Sequence, residues 1–279
     1  MSRVVVFGST GMVGRAVAAK LGTLSDLEAI AVNRRDHGFD VTDRVIDTPA
    51  LLRDATFAVN CIGLLRGDRS YGANAFQHKA TLVNSLWPQR LAEAAAVFGC
   101  RVIHLSTDGV FAPGVEPADE TTPISPSEIY GLSKALGEVN EEHVINLRFS
   151  VIGPAPDRGP SLWEWLIRQP RKAVVPGYAT FGWTGCTSLQ LAGLVADLVR
   201  PAVFDTVRSA GAVRHFLPNG TTTKFAVLEL LASFLRPDLT VIEAVQATPN
   251  SRVLTSSAAL NETIYTGSRG WSNAIRESI

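Results

Sequence analysis

The chain has 279 residues, 46% of them hydrophobic, and its 26 Lys and Arg residues balance its 26 Asp and Glu residues. The zero net charge argues against a nucleic-acid partner held on a basic surface, and the hydrophobic content is too high for a disordered chain. The sequence offers no apolar run of about 20 residues, no signal-peptide pattern and only three scattered cysteines, so we expect a cytoplasmic protein with reduced thiols and no membrane partner.

In the first 150 residues, short apolar segments alternate with longer helical patterns. The predicted strands cover residues 4–7, 29–32, 57–61, 102–106 and 144–148, and the predicted helices cover 12–21, 76–98 and 126–141. A further short strand is expected to end at residues 39–43. Strands that are apolar on both faces and alternate with helices indicate an α/β fold with a doubly wound parallel sheet, the Rossmann fold.

The pattern changes after Gly153. Residues 154–160 are rich in Pro and Gly, which predicts a loop. Helical patterns follow at 162–168, 187–199 and 225–234, and a strand pattern follows at 239–245. We therefore predict a small, discontinuous C-terminal α+β lobe that binds the substrate. The Rossmann domain is assigned to residues 1–153 plus about 184–212, and the lobe to about 154–183 plus 213–279.

The first predicted strand leads into a glycine-rich loop that opens a helix. Gly8, Gly11 and Gly14 form the pattern G-x-x-G-x-x-G. Glycine lets the backbone turn tightly and approach a pyrophosphate, whose charge then faces the helix N-terminus. Because a strand precedes the loop and a helix follows it, the pattern predicts a dinucleotide site. The residues expected to contact the dinucleotide here are Gly8, Thr10, Gly11, Met12 and Val13.

The end of the second strand indicates which dinucleotide binds. Asn33, Arg34 and Arg35 stand where NAD-binding proteins carry an acidic residue for the ribose 2′-hydroxyl, whereas arginine suits a 2′-phosphate. We therefore predict NADPH or NADP as the cofactor of an NADP-binding Rossmann domain, with NADH as the alternative. Asp40 is expected to accept from the adenine amino group. The other segments expected to line this site contribute Val41, Cys61, Ile62 and Gly63.

A second group of residues predicts carbonyl chemistry. The strand at 102–106 ends in Ser106 and Thr107, and Tyr130 and Lys134 follow on a predicted helix. A spacing of four places the phenol and the ammonium on the same helix face. A free phenol titrates near pH 10, and we expect the ammonium and the oxidised nicotinamide to lower its pKa. The hydroxyl of Ser106 or Thr107 would hold a carbonyl oxygen.

Together these motifs resemble the extended short-chain dehydrogenases/reductases and, among them, the dTDP-4-dehydrorhamnose reductase family. The resemblance implies that Tyr130 donates the proton, that Lys134 binds the nicotinamide ribose and that Thr107 contacts the sugar keto group. It places Asn84 in the hydrogen-bond network around the cofactor. The implied reaction is NADPH-dependent reduction of the C4 keto group of a 4-keto-6-deoxy sugar that is linked to a nucleotide diphosphate. The implied pathway is deoxysugar or surface-polysaccharide biosynthesis.

The resemblance also implies where the sugar binds. The residues expected to contact the substrate are Ser106, Thr107, Asp108, Trp183 and Arg252. Arg252 matches a family arginine and would meet a phosphate as a bidentate donor. Large aromatic residues such as Trp163, Trp165 and Trp183 belong more often to a core than to a ligand site.

Two other functions stay open, a nucleotide-sugar epimerase and a catalytically idle NADP-binding regulatory subunit. Gly109 stands where the related dehydratases carry a catalytic glutamate, which disfavours dehydration. The histidines and cysteines show no metal-ligand spacing, so no metal is expected. The protein is expected to be a monomer or a homodimer.

Overall fold

The computed structural model describes residues 1–43, 48–66, 74–115, 117–155, 161–245, 251–256, 260 and 264–279. Its strands are β1 (Ser2–Phe7), β2 (Leu27–Val32), β3 (Phe57–Asn60), β4 (Arg101–Leu105), β5 (Val144–Arg148), β6 (Val151–Ile152), β7 (Val174–Tyr178), β8 (Gly182–Thr184), β9 (Cys186–Thr187), β10 (Val213–His215), β11 (Thr221–Thr223) and β12 (Thr240–Ala244).

The helices cover both faces of the sheet and the C-terminal region. They are α1 (Met12–Gly22), α2 (Arg34–His37), α3 (Thr48–Leu52), α4 (Asn74–Ala80), α5 (Trp87–Val97), α6 (Ile129–Ala135), α7 (Leu162–Ile167), α8 (Ser188–Leu198), α9 (Pro201–Ser209), α10 (Lys224–Leu235) and α11 (Trp271–Glu277). A π-helical turn, Thr81–Leu86, joins α4 to α5, and a 3₁₀ turn, Asp108–Val110, follows β4.

Six strands form one parallel sheet in the order β10-β5-β4-β3-β1-β2. The chain passes from β1 to β2 on one side and returns to β3 on the other side of β1. The strand order therefore reverses at β1, and in such sheets ligands bind in the crevice at the carboxyl ends of the strands around the reversal. This architecture confirms the predicted Rossmann fold.

The strands are apolar on both faces because helices cover the sheet on both sides. Val4 and Val6 of β1 pack into one core with α1, α8 and α9. Val5 and Phe7, which point the opposite way in a strand, pack into a second core with α3 and α5. The continuous apolar run at residues 4–7 thus follows from burial between two helix layers.

Two of the sequence predictions are wrong in detail. No strand is present among residues 38–43, because the Asp40 carboxylate accepts hydrogen bonds from the backbone N and the hydroxyl of Thr42, at 2.9 and 2.8 Å, and turns the chain. The helix predicted over 126–141 is restricted to Ile129–Ala135. The long helix predicted at 76–98 is present, with the π-helical turn in its middle.

The C-terminal region has an apolar core of its own, which includes Trp163, Trp183, Leu231 and Ile275. The domain boundary after residue 212 is too early, because β10 (Val213–His215) pairs with β5 in the main sheet. The division into a cofactor domain and a sugar-binding lobe otherwise stays a prediction, and residues 156–160 of the predicted loop lie outside the described residues.

Candidate active site

The glycine loop after β1 is shaped by two close approaches of backbone. Gly8 has a φ of +81°, and a Cβ there would lie 2.9 Å from the side chain of Ile62. A Cβ on Gly14 would lie 2.2 Å from the carbonyl oxygen of Gly8. Gly11 precedes α1 and makes no side-chain cap, so the first amides of α1 are left to bind an anion.

A cleft of about 250 Å³ opens beside this loop. The sequence-predicted residues that line it are Gly8, Thr10, Gly11, Asn33, Arg34, Asp40, Val41, Cys61, Ile62 and Gly63. Phe39, Thr42, Leu64, Lys79 and Val83 also line it, and sequence reasoning did not select them. Lys79 lies on α4, far from the glycine loop in sequence, so only the packing of that helix could reveal it.

The remaining predicted cofactor residues lie outside the lining of this cleft. Met12 and Val13 lie half-buried in the first turn of α1, and Arg35 is exposed on α2. Asn84 is fully buried in the π-helical turn. It accepts a hydrogen bond from the amide of Leu64 at 2.8 Å and donates to the Leu64 carbonyl at 3.0 Å and to the hydroxyl of Ser133 at 3.0 Å. Asn84 therefore ties the cleft wall to α6.

One end of the cleft carries paired charges. The Arg34 guanidinium lies 3.5 Å from the Asp40 carboxylate. Burial acts to raise the pKa of Asp40, but the hydrogen bonds from Thr42 and the charge of Arg34 outweigh it, so the pKa is lowered. Asn33 is buried, and its side-chain oxygen caps α2 by accepting from the amide of Asp36 at 2.9 Å. This cap directs α2, and Arg34 with it, along the cleft.

Thr107 and Tyr130 meet at the carboxyl end of β4. The Thr107 hydroxyl accepts from the amide of Gly109 at 3.1 Å and donates to the Asp108 carboxylate at 3.1 Å, and a hydrogen bond joins it to the half-buried Tyr130. Burial raises the pKa of Tyr130, although this hydrogen bond and the charges of Arg66 and Arg252 act to lower it. The direction is opposite to the lowered pKa expected from the sequence, because desolvation disfavours the charged phenolate.

Lys134 lies one helical turn beyond Tyr130 on α6 and is only 3% exposed. Its ammonium nitrogen donates to the carbonyl of Leu105 at 2.6 Å. Burial lowers the pKa of Lys134 to about 8, and the charge of Glu138 offsets part of that effect. Cys61 lines the cleft and is close enough to Lys134 to act on its pKa, so Lys134 lies next to the cleft wall.

The hydroxyls of Ser106 and Thr107 have different partners in the structure. The Ser106 hydroxyl donates to Glu138 at 2.6 Å, and Glu138 forms a buried ion pair with Arg148 at 2.6 Å. Ser106 is therefore engaged inside the protein, and Thr107 is the hydroxyl that reaches Tyr130.

Helix α6 packs closely on the turn that follows β4. A Cβ on Gly131 would lie 2.0 Å from the Gly109 carbonyl oxygen.

Three charged side chains, those of Asp108, Lys224 and Arg252, lie near one another in the neighbourhood of Tyr130. Asp108 is buried, and this raises its pKa, while the positive charges of Arg252 and Lys224 act to lower it. Burial lowers the pKa of Lys224 to about 8, with the charge of Asp108 opposing that effect. A Cβ on Gly109 would lie 3.1 Å from Nη1 of Arg252, so the absence of a side chain at Gly109 leaves room for this guanidinium. Lys224 was not selected from the sequence.

Trp183 is a core residue and not a ligand-stacking surface. Its side chain is only 1% exposed and stacks on Trp271, with ring centroids 4.8 Å apart. The Lys224 ammonium lies 3.6 Å from the Trp183 ring centroid. The expectation that Trp183 contacts the substrate is therefore corrected. Trp163 is buried as well, whereas Trp165 is 40% exposed.

Neither a metal site nor a membrane span is found in the described ranges. No group of three or more His, Cys, Asp or Glu residues there could hold a metal ion. The helices of that part of the chain are all too short or too polar to cross a bilayer.

Comparison with known proteins gives consistent matches. The family model described as RmlD substrate binding domain matches residues 2–152. A dTDP-4-keto-6-deoxy-D-glucose reductase from Streptomyces niveus is 35% identical over 139 residues, 49% of this chain and 46% of that protein. The chain thus spans about half the length of that relative. A dTDP-4-dehydrorhamnose reductase from Salmonella typhimurium is 32% identical over 226 residues, 79% of this chain and 74% of that protein.

A solved structure shares the fold over its whole length. It is a dTDP-4-dehydrorhamnose reductase from Bacillus anthracis in complex with NADP, with a TM-score of 0.80 and 16% identity. The match covers 100% of this chain and 98% of that one. At this identity the likeness shows the fold.

Proposed function

The chain belongs to the RmlD substrate binding domain family, and on that premise we propose that it is an NADPH-dependent reductase of the C4 keto group of a nucleotide-linked 4-keto-6-deoxy sugar. The observation that carries the proposal is the meeting of Thr107, Tyr130 and Lys134 at the carboxyl end of β4, next to the glycine-lined cleft. The substrate, a nucleotide-diphosphate sugar, follows from the activities named for the relatives.

The residues present fit a phosphorylated dinucleotide. Gly8 and Gly14 allow the loop to pack closely against Ile62 and against itself, Gly8 and Gly11 line the cleft, and Arg34 and Lys79 bring positive charge to it. We assign the pyrophosphate to the glycine loop and the 2′-phosphate to Arg34. NADPH, when bound, supplies a hydride to the carbonyl carbon.

The protein's part in the reaction is to hold the carbonyl and to move one proton. The Thr107 hydroxyl orients the keto oxygen, and Tyr130 donates its phenolic proton to that oxygen. A raised pKa keeps Tyr130 protonated at neutral pH, which is the form a proton donor needs. The phenolate that remains is stabilised by the nearby charges of Arg66 and Arg252 and by Lys134 once its amine is protonated.

The two other functions lack a specific observation in their favour. An idle regulatory subunit has no need of a complete Thr107, Tyr130 and Lys134 set, and an epimerase returns its hydride to the sugar. Gly109 has no side chain to act as the acid or base of a dehydratase. The assignments of an oligomeric state, monomer or homodimer, and of a cytoplasmic location remain predictions.

The decisive experiment mixes the protein with NADPH and a panel of nucleotide-linked 4-keto-6-deoxy sugars and follows the nicotinamide absorbance. We expect net loss of NADPH with a matching alcohol product. Sugar conversion without NADPH loss would instead identify an epimerase, and cofactor binding without turnover would identify a regulatory protein.

Replacing the proton donor tests the assigned role of Tyr130. Tyr130→Phe should lower kcat by about 10²-fold or more, the usual weight of a positioned acid, with little change in NADPH binding. The control is Tyr178→Phe, because Tyr178 is 39% exposed on β7 and should not affect turnover. Near-normal kcat in Tyr130→Phe would refute the mechanism.

A further inference from the structure

His104 is buried in β4 and is not used by the proposed mechanism. It is only 1% exposed, and each of its ring nitrogens faces one side chain. Nδ1 lies 3.0 Å from the amide nitrogen of Asn60. Nε2 lies 3.4 Å from the side-chain nitrogen of Lys134. The histidine thus connects Asn60, at the end of β3, to the lysine of the active site.

The orientation of Asn60 is fixed by two groups that can only donate. The Trp87 indole nitrogen donates to Asn60 Oδ1 at 3.0 Å, and the amide of Ile62 donates to the same oxygen at 3.1 Å. The nitrogen of the Asn60 amide must therefore be the atom that faces His104. Because that nitrogen is a donor, His104 Nδ1 has to be the acceptor, and a neutral imidazole then carries its proton on Nε2.

This tautomer sets the environment of Lys134. An N–H group on Nε2 points at the lysine nitrogen, and an ammonium has no lone pair with which to accept it. A neutral amine can accept from His104 while it donates to the carbonyl of Leu105. The contact is therefore favourable for the amine and unfavourable for the ammonium.

We propose that His104 is a positioning residue that opposes the charged form of Lys134, so that dinucleotide binding is coupled to the uptake of one proton from solvent by Lys134. The inference rests on the role proposed for Lys134 at the cofactor. The phosphates of a dinucleotide add negative charge near the cleft, which favours the ammonium, and the proton that Lys134 gains is the one it needs to stabilise the Tyr130 phenolate.

The other charged groups around Lys134 do not remove this effect. Glu138 and Cys61 act to raise the pKa of Lys134, and burial acts to lower it. Glu138 is already bound by Arg148 and Ser106, and burial raises the pKa of Cys61 to about 12, which keeps its thiol protonated at neutral pH. The resulting pKa of Lys134 of about 8 places its proton uptake in a range that experiments can reach.

The tautomer is tested first, on the unmodified protein. Histidine labelled with ¹⁵N gives signals that distinguish the two neutral tautomers and the charged ring, and His104→Gln identifies the signal of His104. We expect a neutral Nε2–H tautomer from about pH 6 to pH 9. An Nδ1–H tautomer, or titration of His104 near its ordinary pKa of about 6.5, would overturn the proposal.

Proton uptake is tested by calorimetry of NADPH binding at pH 8 in buffers of different ionisation enthalpy. At a pH equal to the pKa about half of the lysine is deprotonated, so the wild type should take up about half a proton. His104→Gln offers an amide oxygen to Lys134, and Asn60→Asp forces the ring proton onto Nδ1; both should take up much less. Unchanged uptake in these variants, or none in the wild type, contradicts the coupling.

The matched control is His143→Gln. His143 is half-buried, its Nε2 lies 2.9 Å from the carbonyl of Ala92, and it is not among the residues that line the cleft. This variant should take up as many protons as the wild type, and uptake that fell as in His104→Gln would contradict the assignment to His104. Neither readout requires sugar turnover, so failure of the proposed reaction and failure of the coupling are separate results.

Discussion

At the scale of single residues, Arg34 and Arg35 have different positions in the structure, although the sequence alone predicts the same role for both. Both are exposed, but Arg34 lines the cleft and lies 3.5 Å from Asp40, whereas Arg35 is absent from the cleft lining. Both could meet a phosphate by residue type. The direction of the capped turn at Asn33 places Arg34, and not Arg35, at the cleft.

Arg34→Ala should therefore weaken NADPH binding and spare NADH binding. A hydrogen bond to a charged group contributes about 1.5–3 kcal/mol, which corresponds to a rise in Kd of about tenfold or more. The dissociation constants of both cofactors are measured by fluorescence titration. Arg35→Ala is the control, with little change expected. An equal loss for NADH, or an equal effect of Arg35→Ala, would count against the 2′-phosphate assignment.

Two glycines near Tyr130 give a second comparison between single residues. A Cβ on Gly131 would lie 2.0 Å from the backbone oxygen of Gly109, whereas a Cβ on Gly109 would meet the end of the Arg252 side chain at 3.1 Å. Backbone cannot move aside cheaply, but a long side chain can.

Gly131→Ala should lower both the melting temperature and kcat, since α6 has to move away from the end of β4. Gly109→Ala should lower the melting temperature less than Gly131→Ala does, because its Cβ would meet side-chain atoms, the movable end of Arg252 at 3.1 Å and the Tyr130 ring at 3.3 Å, and not backbone below 3 Å. Thermal melting and steady-state kinetics measure the melting temperature and kcat of the two variants. Equal melting temperatures for the pair would show that α6 is not held by this contact.

At the scale of elements, the π-helical turn between α4 and α5 positions Asn84, whose side chain joins the cleft wall to α6 by hydrogen bonds. Such turns occur frequently at functional sites. Here the turn presents Asn84 to both backbone groups of Leu64 and to Ser133. A Cβ on Gly137 would lie 2.0 Å from the carbonyl oxygen of Asn84, so the same turn is also closely packed against the end of α6.

Asn84→Leu should destabilise the protein and weaken cofactor binding, because it leaves the buried amide and carbonyl of Leu64 without their partner. Each such loss costs about 1–3 kcal/mol. Asn84→Asp keeps the acceptor for the Leu64 amide but places a carboxyl oxygen against the Leu64 carbonyl in a fully buried site, so it should also lower the free energy of unfolding, and more at pH 8 than at pH 5, because a buried carboxylate is costlier than a buried carboxylic acid. Urea unfolding measures the free energies, and wild-type stability in both variants would refute the assigned hydrogen bonds.

At the scale of the whole molecule, two buried histidines make stability depend on pH. Burial lowers the pKa of His104 and of His215 below the ordinary value. In the unfolded chain both titrate near pH 6.5. Below that pH the unfolded state binds protons that the folded state does not, so stability falls as the pH falls.

The free energy of unfolding should therefore be lower at about pH 5.5 than at about pH 7.5. Urea unfolding at the two pH values tests this prediction. The difference in free energy of unfolding between them should be smaller for His104→Gln than for the wild type. His37→Gln is the control, because His37 is exposed on α2 and should leave the difference unchanged. Stability that does not fall on acidification would show that the two histidines are not held neutral.

Features that depend on local order could be predicted from the amino-acid sequence: the apolar strands, the loop of Gly8, Gly11 and Gly14, and the spacing of Tyr130 and Lys134. Strand and helix periods, and the fixed order of a doubly wound sheet, bring these residues to one edge. Tertiary structure alone decided that Lys79 and Lys224 join the site, that Trp183 belongs to the core, and that His104 faces Lys134. These outcomes depend on contacts between segments distant in the chain, where a side chain's neighbours and burial, and not its own identity, set what it can do.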